Sequence, residues 1–224
     1  MTEASSRARP ASFYLCDFDG TVARADVGNR FFDRFIADKA AQEALLARWF
    51  EESVGGRRIL ADECALARVT EAEALAFADA HAAIDPSFGA FVDAARQAGG
   101  DVAIASDGLL LYIRRILAVN GLEHVESSAN GLTFDGDRIV PVFGSPAGEG
   151  CGECGSCKAA VLARRANGYD RTVFIGDGLS DRCGARAADV VYARDDLAAW
   201  CAREDIAFRP FATFADVMHA EGLG

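Results

Sequence analysis

Residues 12–21 read SFYLCDFDGT. The first part is a short apolar run of aromatic and β-forming side chains. That length and composition predict a buried strand. The run then ends in acids: Asp17 and Asp19 stand two apart, followed by Gly20 and Thr21. Glycine lets the backbone turn sharply. Such a turn carries two carboxylates out of the strand together. One can act as a nucleophile and the other as a general acid and base. An acidic turn with no chemistry is the plainer alternative.

Further along, DVAIAS at 101–106, a segment near 123–127, TVFI at 172–175 and Val190–Ala193 read as strands. Residues 132–142 read as a hairpin turning at Asp135-Gly136-Asp137. Helical segments are expected at 109–119, 158–166 and 179–187. Strands alternating with helices imply an α/β fold on a parallel, Rossmann-like sheet. One block breaks the alternation. From Asp26 to Phe50 the apolar spacing is helical, with Phe31, Phe32, Phe35 and Ile36, then Leu45, Leu46, Trp49 and Phe50. Gly55-Gly56 interrupts it, and helices follow at about 57–69, 71–82 and 87–98. Residues 24–90 are therefore expected to form an inserted small helical cap. Residues 1–23 and 91–224 form the core, beginning in a loose tail over 1–11.

The 224 residues are 51% apolar and 25% charged, which suits one large globular domain or a core with an insert. With 23 basic and 34 acidic residues the net charge is −11, which argues against nucleic acid or an anionic membrane surface as partner. No apolar run is long enough to span a bilayer. The first ten residues lack the apolar region of a signal peptide, so the expected location is cytoplasmic. Lys39 and Lys158 are the only lysines.

In open α/β sheets, ligands bind at the carboxyl ends of the strands. Asp17 and Asp19 fall there, as do Ser106 and Asp107 after the second strand, and Asp177 and Asp181 after the 172–175 strand. Acids such as Asp177 suit a hard cation like Mg²⁺, with helix capping as the alternative. Ser106, with free backbone N–H groups beside it, suits an anion. Lys158 opens a helix, where an ammonium opposes the macrodipole and so calls for a nearby anion. Together these groups suit phosphoryl transfer through an aspartyl phosphate.

DxDGT at 17–21, the strand ending in Ser106-Asp107-Gly108, Lys158, and GDGLSD at 176–181 resemble the four motifs of the haloacid dehalogenase superfamily, bracketing 13–195. The insert resembles the type 1 cap of its phosphoserine phosphatase-like branch. The resemblance implies that Asp17 attacks phosphorus and Asp19 serves as acid, then base. It implies Mg²⁺ on Asp17, the Asp19 main-chain carbonyl and Asp177. Ser106, Lys158 and main-chain N–H groups near Asp19, Gly20 and Asp107 would hold phosphoryl oxygens. Asp181 would orient Lys158 or a metal-bound water, and Thr21 would stand behind the site. Asp107 replaces a frequent glycine, which is a concern unless its side chain points away. Residues 54–60, 109–117, 151–158 and 189–214 resemble the phosphatases of methionine salvage that act on 2-hydroxy-3-keto-5-methylthiopentenyl-1-phosphate. The expectation is a Mg²⁺-dependent phosphomonoesterase on a small phosphate ester. A phosphoserine phosphatase-like enzyme, a phosphomutase, and a cysteine-metal or phosphate sensor are the alternatives.

In the cap, Arg57 and Arg58 could clamp a substrate anion or merely begin a helix in solvent. Asp26 could contact substrate or cap the first helix. Cys151, Cys154 and Cys157 have a spacing open to Zn²⁺, with Cys183 or Glu149 as fourth ligand, to an oxidation switch, or to simple packing.

Overall fold

In the computed structural model, residues 11–51 and 54–224 are described. The expected N-terminal tail lies, apart from its last residue, outside them. The run that opens the sequence argument is strand β1 (Ser12–Cys16), buried throughout. It pairs in parallel with β2 (Asp101–Leu109) on one side and β5 (Arg171–Gly176) on the other. Strands β3 (Glu126–Asp135) and β4 (Arg138–Val142) continue the sheet beyond β2. On the other side, β6 (Val190–Ala193) and β7 (Arg209–Pro210) continue it beyond β5. The order is β4-β3-β2-β1-β5-β6-β7, and only β4 runs antiparallel to its neighbour.

The pleat of β1 sends Phe13 and Leu15 into one core layer and Tyr14 and Cys16 into the other. A parallel sheet covered on both faces needs such an unbroken apolar run. Between β1 and β2 lie α1 (Val27–Phe35), α2 (Lys39–Phe50), α3 (Gly56–Leu66), α4 (Glu71–Ala80) and α5 (Phe88–Gln97). Helix α5 packs on the sheet, with Phe91 edge-on to Tyr14 at 5.2 Å. Helix α6 (Leu110–Val119) follows β2, and α7 (Lys158–Arg165) leads into β5. No described helix is long and apolar enough to cross a membrane.

Several boundaries differ from the sequence expectation. The periodicity over 26–50 belongs to two helices, because Ile36 is extended and Asp38 starts afresh by accepting from Ala41 N at 3.0 Å. The expected third strand and the first arm of the hairpin are one continuous strand, β3. The 179–187 helix begins as a 3-10 turn (Leu179–Asp181) and becomes α8 (Arg182–Ala187). After β6 come α9 (Asp195–Arg203), β7 and α10 (Phe214–Glu221), in a stretch where the sequence reading assigned no elements.

Candidate active site

The carboxyl ends of β1, β2 and β5 open into one cavity of about 320 Å³, lined by Asp17, Asp19, Ser106, Asp107 and Asp177 on the sheet side. Asp17 is held at the end of β1 by its backbone N–H, which donates to Ile175 O on β5 at 2.9 Å. Lys158 begins α7 and is 1% exposed. Its ammonium pairs with Asp17 at 2.7 Å, also pairs with Asp181, and donates to Ser180 Oγ at 3.1 Å. Asp181 is fully buried, and its other oxygen accepts from Asp177 N and Gly178 N, both at 2.9 Å. The local anion that Lys158 calls for is therefore supplied by two aspartates.

Charge explains the protonation tendencies. Burial, with Asp181 repulsion behind it, drives the Asp17 carboxyl well above its ordinary range despite Lys158. Burial and then Asp181 push Asp177 up to about 7. Burial opposes the Lys158 ammonium, but Asp17 and Asp181 outweigh it and hold its pKa well above the usual lysine value. Carboxylate oxygens of Asp17, Asp177 and Asp181 all lie within 4.8 Å of one another. These three carboxylates, two of them paired with the Lys158 ammonium, form an oxygen-only, net negative donor set, which fits a hard divalent cation. Thr21 Oγ1 donates to Asp177 and fixes its orientation.

Asp19 has separate partners. Its Oδ1 accepts from Val27 N at 2.9 Å and Gly28 N at 3.2 Å, and its Oδ2 accepts from Tyr112 Oη at 2.5 Å. Burial, with Asp26 repulsion second, raises its pKa to about 7. Two glycines make room for this arrangement. Gly20 has φ +77°, and a Cβ there would sit 2.2 Å from Asp177 Oδ2. A Cβ on Gly108 would sit 1.9 Å from Tyr112 Oη and 2.6 Å from Asp19 Oδ2. Ser106 is 1% exposed, and its Oγ accepts from Gly108 N at 2.9 Å.

Asp107 turns one oxygen away from the sheet end. Its Oδ1 accepts from Gly155 N at 2.8 Å and Ser156 N at 2.9 Å, tying the cysteine loop to β2. Asn130 reinforces the tie by donating to Asp107 O at 2.7 Å. The cap side of the cavity is mostly apolar, with Phe32, Leu46, Trp49, Ile59 and Leu60. Asp26 and Glu63 are its acids. Asp26 caps α1, accepting from Asn29 N at 2.7 Å, and also lines the cavity, so both of its readings have a basis. Neither Arg57 nor Arg58 lines the cavity. Arg57 lies over the Phe143 ring at 4.1 Å and donates to Ser145 O, while Arg58 pairs with Asp62 at 2.8 Å.

Sequence reasoning missed Tyr112 and Arg194. Tyr112 is a phenol on the buried stripe of α6, and a polar tip in an apolar stripe usually seeks a partner. Arg194 donates to Gly20 O and Ala212 O, bracing the first turn from the far side of β6. No spacing in the sequence signals that contact.

Comparison with known proteins bears on this arrangement. A family model described as haloacid dehalogenase-like hydrolase matches residues 14–186. The 2-hydroxy-3-keto-5-methylthiopentenyl-1-phosphate phosphatase of Brevibacillus brevis is 30% identical over 207 residues, covering 91% of this chain and 92% of that protein. The protein of the same name from Exiguobacterium sibiricum is 31% identical over 212 residues, covering 91% and 93%. A phosphoserine phosphatase solved as an analogue of its phospho-aspartyl intermediate superposes with a TM-score of 0.70. Its sequence identity is 16%, and the match covers 94% of this chain and 98% of that one.

Proposed function

The chain belongs to the haloacid dehalogenase-like hydrolases and is a phosphatase, and from that premise we propose that Asp17 is its nucleophile, acting on a small phosphate ester with an apolar tail. The observation that carries this reading is the buried Asp17–Lys158–Asp181 chain at the mouth of β1, with Asp19 held separately by Tyr112. In this reading a carboxylate oxygen of Asp17 forms a bond to phosphorus as the ester P–O bond breaks. Asp19, protonated, gives its proton to the leaving alkoxide. The carboxylate so formed takes a proton from water, whose oxygen attacks the aspartyl phosphate. The P–O bond to Asp17 then breaks, releasing phosphate. A pKa near 7 suits a group that must both give and take a proton. Lys158 and Ser106 hold the phosphoryl oxygens, where preorganised donors stabilise developing charge. Asp17, Asp177 and the main-chain carbonyl of Asp19 would hold Mg²⁺, which supplies charge neutralisation and Lewis acidity. The segment 24–90 acts as the cap, closing over substrate and excluding bulk water.

The finer substrate reading is 2-hydroxy-3-keto-5-methylthiopentenyl-1-phosphate. The names of the relatives support it. So does the wall of Phe32, Leu46, Trp49 and Ile59, which offers apolar and aromatic surface to a thioether. The test is phosphate release from a panel of small phosphomonoesters, with Mg²⁺ or EDTA, beside Asp17→Asn. Selective release that needs Mg²⁺ and vanishes in Asp17→Asn is the expected result. Retained turnover in Asp17→Asn refutes the nucleophile. Preference for phosphoserine over the methylthio ester refutes the finer substrate.

A further inference from the structure

We propose that Cys151, Cys154, Cys157 and Cys183 form a four-thiolate zinc site that fastens the 150–157 loop to α8. The first three come from the Gly/Cys-rich loop before α7, and the fourth from α8, 26 residues beyond Cys157. All four are free cysteines, and their sulfurs lie within 4.8 Å of one another. The separations are 3.7 Å for Cys151–Cys157, 3.8 Å for Cys157–Cys183, 3.9 Å for Cys154–Cys183 and 3.2 Å for Cys151–Cys154. Four sulfurs bonded tetrahedrally to zinc at about 2.3 Å stand about 3.8 Å apart. Of these four of the six tetrahedral edges, three match that length and the fourth reaches it with a small side-chain rotation, while the remaining two lie within 4.8 Å.

The donor type selects the metal. Four soft sulfurs suit zinc and reject Mg²⁺, which takes oxygen. Metal binding would release the thiol protons to solvent and leave a site of charge −2. Arg182, Arg186 and Arg203 line the adjoining cavity together with Glu153 and Glu204, which leaves that lining net positive beside the site. A closed set of four protein ligands makes the site structural.

Its place in the chain indicates what it would hold. Cys157 immediately precedes Lys158, and Cys183 lies two residues after Asp181. The same loop gives Asp107 its two amide donors and accepts Arg57 N at Glu153 O, 2.9 Å. The metal would join the two segments that deliver Lys158 and Asp181, so its four ligands are positioning residues.

The test begins with zinc content of the full chain purified without chelator. One zinc per chain is expected, unchanged in Asp17→Asn and in Cys201→Ser, whose thiol lies buried in the core away from the cluster. Chelator-stripped, reduced protein is then titrated with Co²⁺. The sulfur-to-cobalt charge-transfer band and the intense visible bands of tetrahedral cobalt should appear. Excess Zn²⁺ should bleach them, and Cys183→Ser should lose or alter them. Stripping should also lower Tm, and Zn²⁺ should restore it, which keeps the test valid if Cys183→Ser misfolds. Two results overturn the proposal. One is no charge-transfer band in the stripped, reduced wild-type chain. The other is a disulfide within the cluster in the metal-free protein as purified, which would make it an oxidation switch.

Discussion

Among the described residues, Tyr112 supplies the one side-chain donor to Asp19, adding to the Val27 and Gly28 amides that orient the carboxylate. Tyr112→Phe leaves ring packing intact and removes the donor on Oδ2, so Asp19 keeps only the Val27 and Gly28 amides on Oδ1. We expect kcat to fall about tenfold with KM little changed, less than the roughly 10²–10⁴ attached to losing an acid–base group. Steady-state kinetics of the variant on its best ester check this. Glu63 offers a test at the same scale that does not involve turnover. It is 6% exposed, and burial, with Asp26 repulsion second, pushes its pKa from 4.5 to about 8. The folded chain therefore keeps a proton there that the unfolded chain releases between about pH 4.5 and 8. Stability contributed by this group is present below that window and is lost as pH rises through it, on the order of a few kcal/mol in all. Glu63→Gln should remove the dependence. Its Tm gain over the parent should be larger at pH 8 than at pH 5, and equal gains at both would contradict the assignment.

Helix α10 is secured by one buried acid. Glu221 accepts from Tyr14 Oη at 3.1 Å, Tyr192 Oη at 2.8 Å and Arg209 at 3.0 Å, and it pairs with Arg171. These partners sit on β1, β6, β7 and β5, so a single carboxylate bolts the last helix to four strands. Phe214 adds ring contacts to Phe88 and Phe91 of α5. Removing one partner of a buried charged network typically costs about 3–5 kcal/mol. Glu221→Ala should lose about that much in urea unfolding, while Asp216→Ala at the exposed start of the same helix should lose about 1 kcal/mol, the usual cost of a cap. The elements here were unequally legible. Strands β1, β2, β5 and β6 were readable because a two-sided burial demand leaves a continuous apolar run. The split of α1 from α2 was not, since Ile36 continues the apolar period while its backbone is extended.

For the molecule as a whole, the cavity is a joint product of the sheet and of helices α1 to α3. The sheet side carries Asp17, Asp19, Asp177, Ser106 and Asp107, and the helices α1, α2 and α3 carry the apolar wall, with Asp26 and Glu63 beside it. Chemistry and substrate choice are therefore separable. Trp49→Ala should raise KM roughly tenfold for esters with an apolar tail, from lost buried surface. It should leave KM for short polar esters such as phosphoserine nearly unchanged. Equal losses on both would mean that Trp49 supports the fold and not the choice of substrate. The acidic balance of the chain, −11, supplies no broad basic field, so under the proposed function the anion would be held locally, by Lys158 and backbone N–H groups.

The sequence by itself determined the α/β class, the helical insert and the residues that meet at the strand ends. It could do so because strand-end position and residue type are local properties: Asp17, Asp19, Ser106, Lys158, Asp177 and Asp181 each announce themselves within a few neighbours. Tertiary structure alone decided the pairings. Lys158 meets Asp17 and Asp181 across 141 and 23 residues of chain. Asp107 turns one oxygen to the cysteine loop, Tyr112 reaches Asp19, and Arg57 goes to Phe143 and Ser145 instead of the cavity. Cys183, which with Glu149 was one of two candidates in the sequence for a fourth ligand, joins the other three only because α8 packs beside α7. Side-chain direction depends on packing between elements distant in the chain, and no short-range pattern records it.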